Sequence, residues 1–140
     1  MEPAVSVDVV DEMTRLWSEL RKGVNLLDEQ SPEAKLEKFL ERVATLRGVE
    51  LQTIYPGLEE LDDEADSVLK KATRRSDKIQ AAMEKLSLPP SESAWRAFAD
   101  ALGHHLDQNP KDIGARLEAL SREDRIDLGE RARVMREALS

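Results

Sequence analysis

The sequence predicts an all-α chain, and three observations carry that prediction. Apolar residues recur at spacings of three and four along most of the chain, the pattern of helices with one buried face. No alternating run rich in Val, Ile and Thr is long enough to argue for a sheet. Hydrophobic residues make up 40%, charged residues 36% and aromatics only 4%, so aliphatic side chains and Ala must fill the core under a charged surface. The 140 residues fit one domain, 1–140, around one core.

The first helix is predicted over about residues 7–27, with Val10, Met13, Leu16 with Trp17, Leu20, Val24 and Leu27 on its stripe. Gln30-Ser31-Pro32 breaks and restarts the chain, with Ser31 as cap, Pro32 first in the helix and Glu33 near its positive end. The second helix carries Leu36, Phe39, Leu40, Val43 and Leu46. Its stripe extends to Glu50 and Ile54, which sets a carboxylate on the buried side. Tyr55-Pro56-Gly57 is expected to end or kink this helix. The acidic stretch from Glu59 to Asp66 then reads as a loop and the acidic start of the third helix.

The third helix carries Ala65, Leu69, Ala72, Ser76, Ile79, Met83 and Leu86, so Ser76 interrupts an apolar stripe. Leu88-Pro89-Pro90 is the clearest breaker. A fourth helix follows Ser91 or Ser93, with Trp95, Phe98, Leu102, His105 with Leu106, and Asn109 on its stripe. Pro110 disfavours helix at Asn109, and a separate short helix is expected near residues 113–120. Ser121 is expected to cap a last helix carrying Ile126, Leu128, Val134 with Met135, and Leu139. These lengths and short connections predict an antiparallel up-down four-helix bundle with an additional C-terminal helix.

Charge and composition narrow the function classes. With 29 acidic and 21 basic residues the net charge is -8, which argues against nucleic acid and against an anionic membrane surface as partners. Without Cys, no disulfide or thiolate site can form. The start Met1-Glu2-Pro3 lacks a basic region before an apolar core, so no secretory leader is expected. No apolar run approaches the about 20 residues that span a bilayer. A cytoplasmic location is the expectation.

Three local patterns resemble the hemerythrin-like family, named for its His-His-Glu cation-binding signature. They are Glu50-Leu51-Gln52-Thr53-Ile54-Tyr55-Pro56, His104-His105-Leu106, and the tail from Ser121-Arg122-Glu123-Asp124 through Arg125-Ile126-Asp127-Leu128-Gly129-Glu130-Arg131. Their order covers most of the chain. The resemblance implies a hemerythrin-like bundle with a non-haem di-iron centre held by several His and two bridging carboxylates. Carried over by position, the first-helix His falls near Val10. The second-helix His and Glu fall on Leu46 and Glu50. The third-helix His falls on Ser76, or on Arg75 in a register one residue earlier. The fourth-helix His and Glu fall on His105 and Asn109. Only Glu50 and His105 match the pattern. The chain holds two His, adjacent in sequence, and neighbours on one helix lie about 100° apart, so they cannot both face one ion. No metal site and no cofactor are expected, with non-haem iron as the alternative.

Family geometry would bring Glu50, Ser76, His105 and Asn109 together at mid-bundle, with Leu46 and Val10 beside them and Tyr55 near the bundle mouth. One reading is a satisfied internal network: His105 donates to Glu50, and Ser76 and Asn109 complete the bonding. Another is an acid/base pair of His105 and Glu50 acting on a small substrate. A Ser76–His105–Glu50 triad fits by residue type only, with no nucleophile elbow or oxyanion hole to support it. An inward Arg75 would pair with Glu50. Lys70, Lys71, Arg74 and Arg75 read as a solvated basic face or an anion site. Trp17, Trp95, Phe98, Met13 and Met83 read as core, His104 as surface, and the Tyr55 hydroxyl as wet.

Three functions therefore stand. The first is a metal-free hemerythrin-like bundle serving as a binding or regulatory module for a protein or small-molecule partner, with self-association open. The second is a cofactor-independent enzyme using His105 and Glu50. The third is a residual iron or oxygen-responsive protein.

Overall fold

Polar caps and apolar stripes set where the helices begin and what they bury. The computed structural model describes residues 7–140, and the reading of a missing leader at Met1-Glu2-Pro3 lies outside them. Helix α1 (Val9–Leu26) starts where the Asp8 carboxylate accepts the Val10 N–H at 2.8 Å. Helix α5 (Glu92–Glu118) starts at Ser91, whose hydroxyl accepts from Ala94 N–H, and α6 (Arg122–Leu139) at Ser121, which accepts from Asp124 N–H. Each such cap is worth about 1 kcal/mol. Helix α2 (Glu33–Val49) differs from the expectation. Pro32 is its cap residue, and the Ser31 hydroxyl turns back to accept from Asp28 N–H. Helix α4 (Asp66–Glu84) follows a tight turn at residues 62–65.

All described secondary structure is helical. Connections are short, so consecutive rods run antiparallel. Helix α5 packs on α1 and α4, while α6 packs on α1 and α2. No described helix is long and apolar enough to cross a membrane. The core lies along the shared axis and includes Met13, Leu36, Leu58, Ile79, Phe98 and Leu128, all fully buried. Trp17 and Trp95 are buried in it as well, and the Trp95 ring leans on Phe98 with centroids 5.3 Å apart.

Both proline breaks expected inside helices are absorbed. Tyr55-Pro56-Gly57 does not end the second rod. The chain widens into a π turn over Glu50–Ile54 and continues as α3 (Tyr55–Leu61), so Glu59, Glu60 and Leu61 are helical rather than loop. Proline lacks an N–H and its ring collides with the carbonyl four residues back. Widening the preceding turn to the i→i+5 pattern moves that carbonyl away, and Tyr55 N–H bonds Glu50 C=O across it. Pro110 likewise sits inside an unbroken α5, and no separate helix begins near residue 113. Beyond it Ile113, Gly114 and Leu117 are buried, and that packing outweighs a penalty of about 3 kcal/mol.

Helix α6 is fastened to α1 by ion pairs at Glu12 and at the cap residue Asp8, which accepts from Arg125 Nε at 3.1 Å, and by a close backbone approach at Gly129. Glu12, buried on α1, accepts from Arg136 at 2.5 Å and from Arg15 at 3.0 Å. Burial alone would raise its carboxyl, but the hydrogen bonds from Arg136 and Arg15 prevail and hold it below the usual range. At the close approach Gly129 lets the chain entering α1 cross α6. A Cβ at Gly129 would lie 2.1 Å from the Val7 carbonyl oxygen.

Pro110 gives a direct check on the packing argument. Pro110→Ala restores the missing N–H in an exposed stretch of α5, so urea denaturation is expected to show a gain of about 1–2 kcal/mol. A loss would mean that the ring itself supports the helix.

Candidate functional site

The site is built around Glu50, the first residue of the π turn. Its carboxylate is fully buried and accepts from three side chains on two other helices. Trp17 Nε1–H of α1 donates at 3.0 Å, Asn109 Nδ2–H of α5 at 2.6 Å, and His105 Nε2 of α5 lies 2.9 Å from Oε1 and 3.2 Å from Oε2. His105 and Asn109 are four residues apart on one helix, so they present on one face. A carboxylate offers only acceptors, which places the proton on His105 Nε2. His105 Nδ1 is buried without a partner among the described residues.

The Asn109 amide joins this core to α4. Its Nδ2 also donates to the Tyr55 hydroxyl at 2.9 Å, and its Oδ1 accepts from Arg75 at 2.6 Å. Arg75 is a donor only and Glu50 an acceptor only, so the amide can point in one direction. Arg75 continues outward to Asp112 at 3.3 Å, on the half-exposed flank of α5. A single chain of bonds therefore runs from Trp17 through Glu50, Asn109 and Arg75 to Asp112.

The π turn makes one part of this possible. In an α-helix, residues five apart point about 140° away from each other around the axis. The wider turn lowers that angle, so Glu50 and Tyr55 both reach the one amide nitrogen of Asn109. Burial first, and then the Glu50 charge, push the Tyr55 phenol well above its ordinary range.

Several sequence expectations change here. Ser76 is fully buried but stands apart from the cluster, and its hydroxyl accepts from Arg47 Nε at 3.0 Å. The Ser76–His105–Glu50 triad is therefore not assembled, and Ser76 does not complete the bonding of Glu50. The register question on α4 has both answers: Arg75 and Ser76 are each buried, on either side of the inward direction. Inward Arg75 bonds Asn109 and Asp112, and reaches Glu50 only through the amide. Its burial also removes it from the basic face of Lys70, Lys71 and Arg74. The Tyr55 hydroxyl is not wet but bonded within the core. Val10 is half-buried because Val9 takes the core position, and Leu46 is buried without adding a polar atom. His104 is exposed, as its spacing predicts.

Two donors were not read from the sequence, one in the cluster and one beside Ser76. Trp17 and Arg47 each lie on or beside an apolar stripe, where an indole or a long stem reads as packing. Their polar atoms become visible as partners only when Glu50 and Ser76 are seen opposite them.

The residues do not fit the di-iron centre that the resemblance implies. Glu50 and His105 are the two ligand types in the cluster, and the Glu50 oxygens already accept from Trp17, His105 and Asn109. Where the family pattern sets a second carboxylate, Asn109 presents N–H groups, which cannot ligate a cation. No three His, Cys, Asp or Glu side chains converge among the described residues. Compared with known proteins, the chain matches no family model, no curated protein and no solved structure.

Removing the indole donor tests the cluster. Trp17→Phe keeps most of the ring volume and strips one hydrogen bond from a buried carboxylate, an expected loss of about 1.5–3 kcal/mol by chemical denaturation. Tyr55, the one tyrosine of the chain, gives a pH test. The unfolded phenol ionises near pH 10 while the folded one stays protonated, so stability should fall as pH rises above about 10. Phenolate absorbance should appear together with loss of helical dichroism. Ionisation in the still-folded protein would show that the hydroxyl reaches water.

Proposed function

We infer that this chain is a hemerythrin-like bundle whose metal centre has been replaced by a hydrogen-bonded polar plug, and that it serves as a binding or regulatory module through its surface. The observation that carries this reading is the saturated Glu50 carboxylate, fully buried and met on both oxygens by donors from α1 and α5. Three donors take three of its about four acceptor sites, which stabilises the group where it is and leaves little for an ion or a substrate. A general base must come within hydrogen-bond reach of a substrate proton, yet Glu50, His105 and Asn109 are all completely shielded from solvent. The acid/base reading therefore has no substrate path to act through. What remains available to a partner is the outside of the bundle.

Anaerobic Fe(II) loading followed by desalting and elemental analysis tests this reading on untagged protein. Only trace iron is expected to remain. One or more ions retained per chain would overturn it and return the chain to the oxygen-responsive class. In parallel, His105→Ala is expected to cost about 2–4 kcal/mol in urea denaturation, because it opens a cavity and leaves Glu50 short of a donor.

A further inference from the structure

A cleft of about 560 Å³ lies between α1, α2 and the end of α6, away from the polar plug. That volume falls within the range of small-molecule sites. Its floor is apolar, formed by the half-buried Leu16 and the nearly buried Leu20, Phe39 and Leu46, with Leu26 at the lip. At Gly23 the Phe39 ring packs directly against the α1 backbone, where a Cβ would stand 2.5 Å from it, so the absence of a side chain lets the ring form part of the floor. Leu26 at one end is 83% exposed, the most exposed large apolar side chain among the described residues.

The rim carries the opposite charge to the chain as a whole. Arg15, Lys22, Arg42 and Arg136 surround the floor, and Glu19 is the one acidic side chain among them. A chain with 29 acidic and 21 basic residues has here reversed its balance to four against one. Two of the four cations are already engaged, since Arg15 and Arg136 hold Glu12 and Arg15 also reaches Glu19. Lys22 and Arg42, on facing helices, form no ion pair among the described residues.

We propose that this cleft binds a single-chain amphiphilic anion, an acyl carboxylate whose tail lies on the Leu and Phe floor and whose head is held between Lys22 and Arg42. It deepens the binding-module reading and rests on it. Along α1 the cleft runs about 16 Å from Arg15 to Leu26 at about 1.5 Å per residue, and about 10 Å of it lies between Lys22 and Arg15, room for much of one extended acyl chain from a head held at Lys22. An acidic amphipathic helix would bring several carboxylates to a rim with two unpaired cations, Lys22 and Arg42. Its several charges would also meet the field of a chain at -8, whereas a single carboxylate meets it once.

Calorimetric titration with laurate, kept below its micelle concentration, tests the assignment. One laurate per chain is expected. Dodecyltrimethylammonium, with the same tail and the opposite charge, is expected to bind at least about tenfold more weakly. Substituting both Lys22→Ala and Arg42→Ala should weaken laurate by about tenfold with helical dichroism unchanged, because neither side chain is buried or ion-paired. Leu26→Asp, at an exposed site, should weaken it independently by setting a carboxylate at the lip. Equal binding of the two amphiphiles overturns the proposal, as does an undiminished affinity in the folded double variant, uptake of many laurates per chain, or binding of an acidic helical peptide but not of laurate. Iron retained in the loading experiment would refute the metal-free module while leaving the laurate isotherm as it stands, so the two failures can be told apart.

Discussion

A carboxylate sealed from water must be met by donors, and the donors that meet Glu50 tie much of the bundle together. Trp17 fixes the rotation of α1, and His105 with Asn109 fixes that of α5. Through the Asn109 amide the same constraint reaches Arg75 on α4 and the Tyr55 hydroxyl on the second rod. An apolar core of similar volume tolerates small rotations and slides. A carboxylate bonded by an indole, an imidazole and an amide tolerates few, because each misaligned bond leaves a buried polar atom unpaired at a cost of about 1–3 kcal/mol.

The backbone has adapted to this cluster. The π turn at Glu50–Ile54 satisfies two demands at once. It moves a carbonyl away from the Pro56 ring, and it turns Glu50 and Tyr55 toward one amide. Pro110 lies one residue past Asn109, so the most constrained side chain of α5 sits beside its weakest backbone position. Buried contacts on both sides, from Leu102 and Leu106 to Ile113 and Leu117, hold the helix through that gap.

The interior and the surface divide the chain's polar chemistry differently. Inside, polar side chains are paired almost completely, with His105 Nδ1 and Arg75 Nε as the buried side-chain atoms left over among the described residues. Outside, the overall acidic balance is broken between α1 and α2, where cations gather over an apolar floor. A saturated interior offers little to a ligand, whereas an apolar floor beneath unpaired cations offers both area and charge.

Helical periodicity, the Ser91 and Ser121 caps and the Leu88-Pro89-Pro90 break were legible in the sequence, because each depends on residues within a turn or two of one another. So was the burial of Glu50, His105 and Asn109, which follows from their stripe positions. Spacing alone could not assign their partners. Trp17 lies 33 residues from Glu50 and His105 lies 55 away, and a register shift of one residue on α4 decides whether Ser76 or Arg75 meets the amide. Local propensity read Pro56 as an end or a kink and Pro110 as an end, where the chain makes a π turn before one and runs unbroken through the other. A proline's penalty of about 3 kcal/mol is a local quantity, and the packing that exceeds it comes from residues on other helices. The sequence by itself determined that the chain is helical, which faces are apolar, and that a carboxylate lies among them. Only the tertiary structure decided which donors reach that carboxylate and that they leave it saturated, because those bonds join residues whose separation in sequence carries no geometric information.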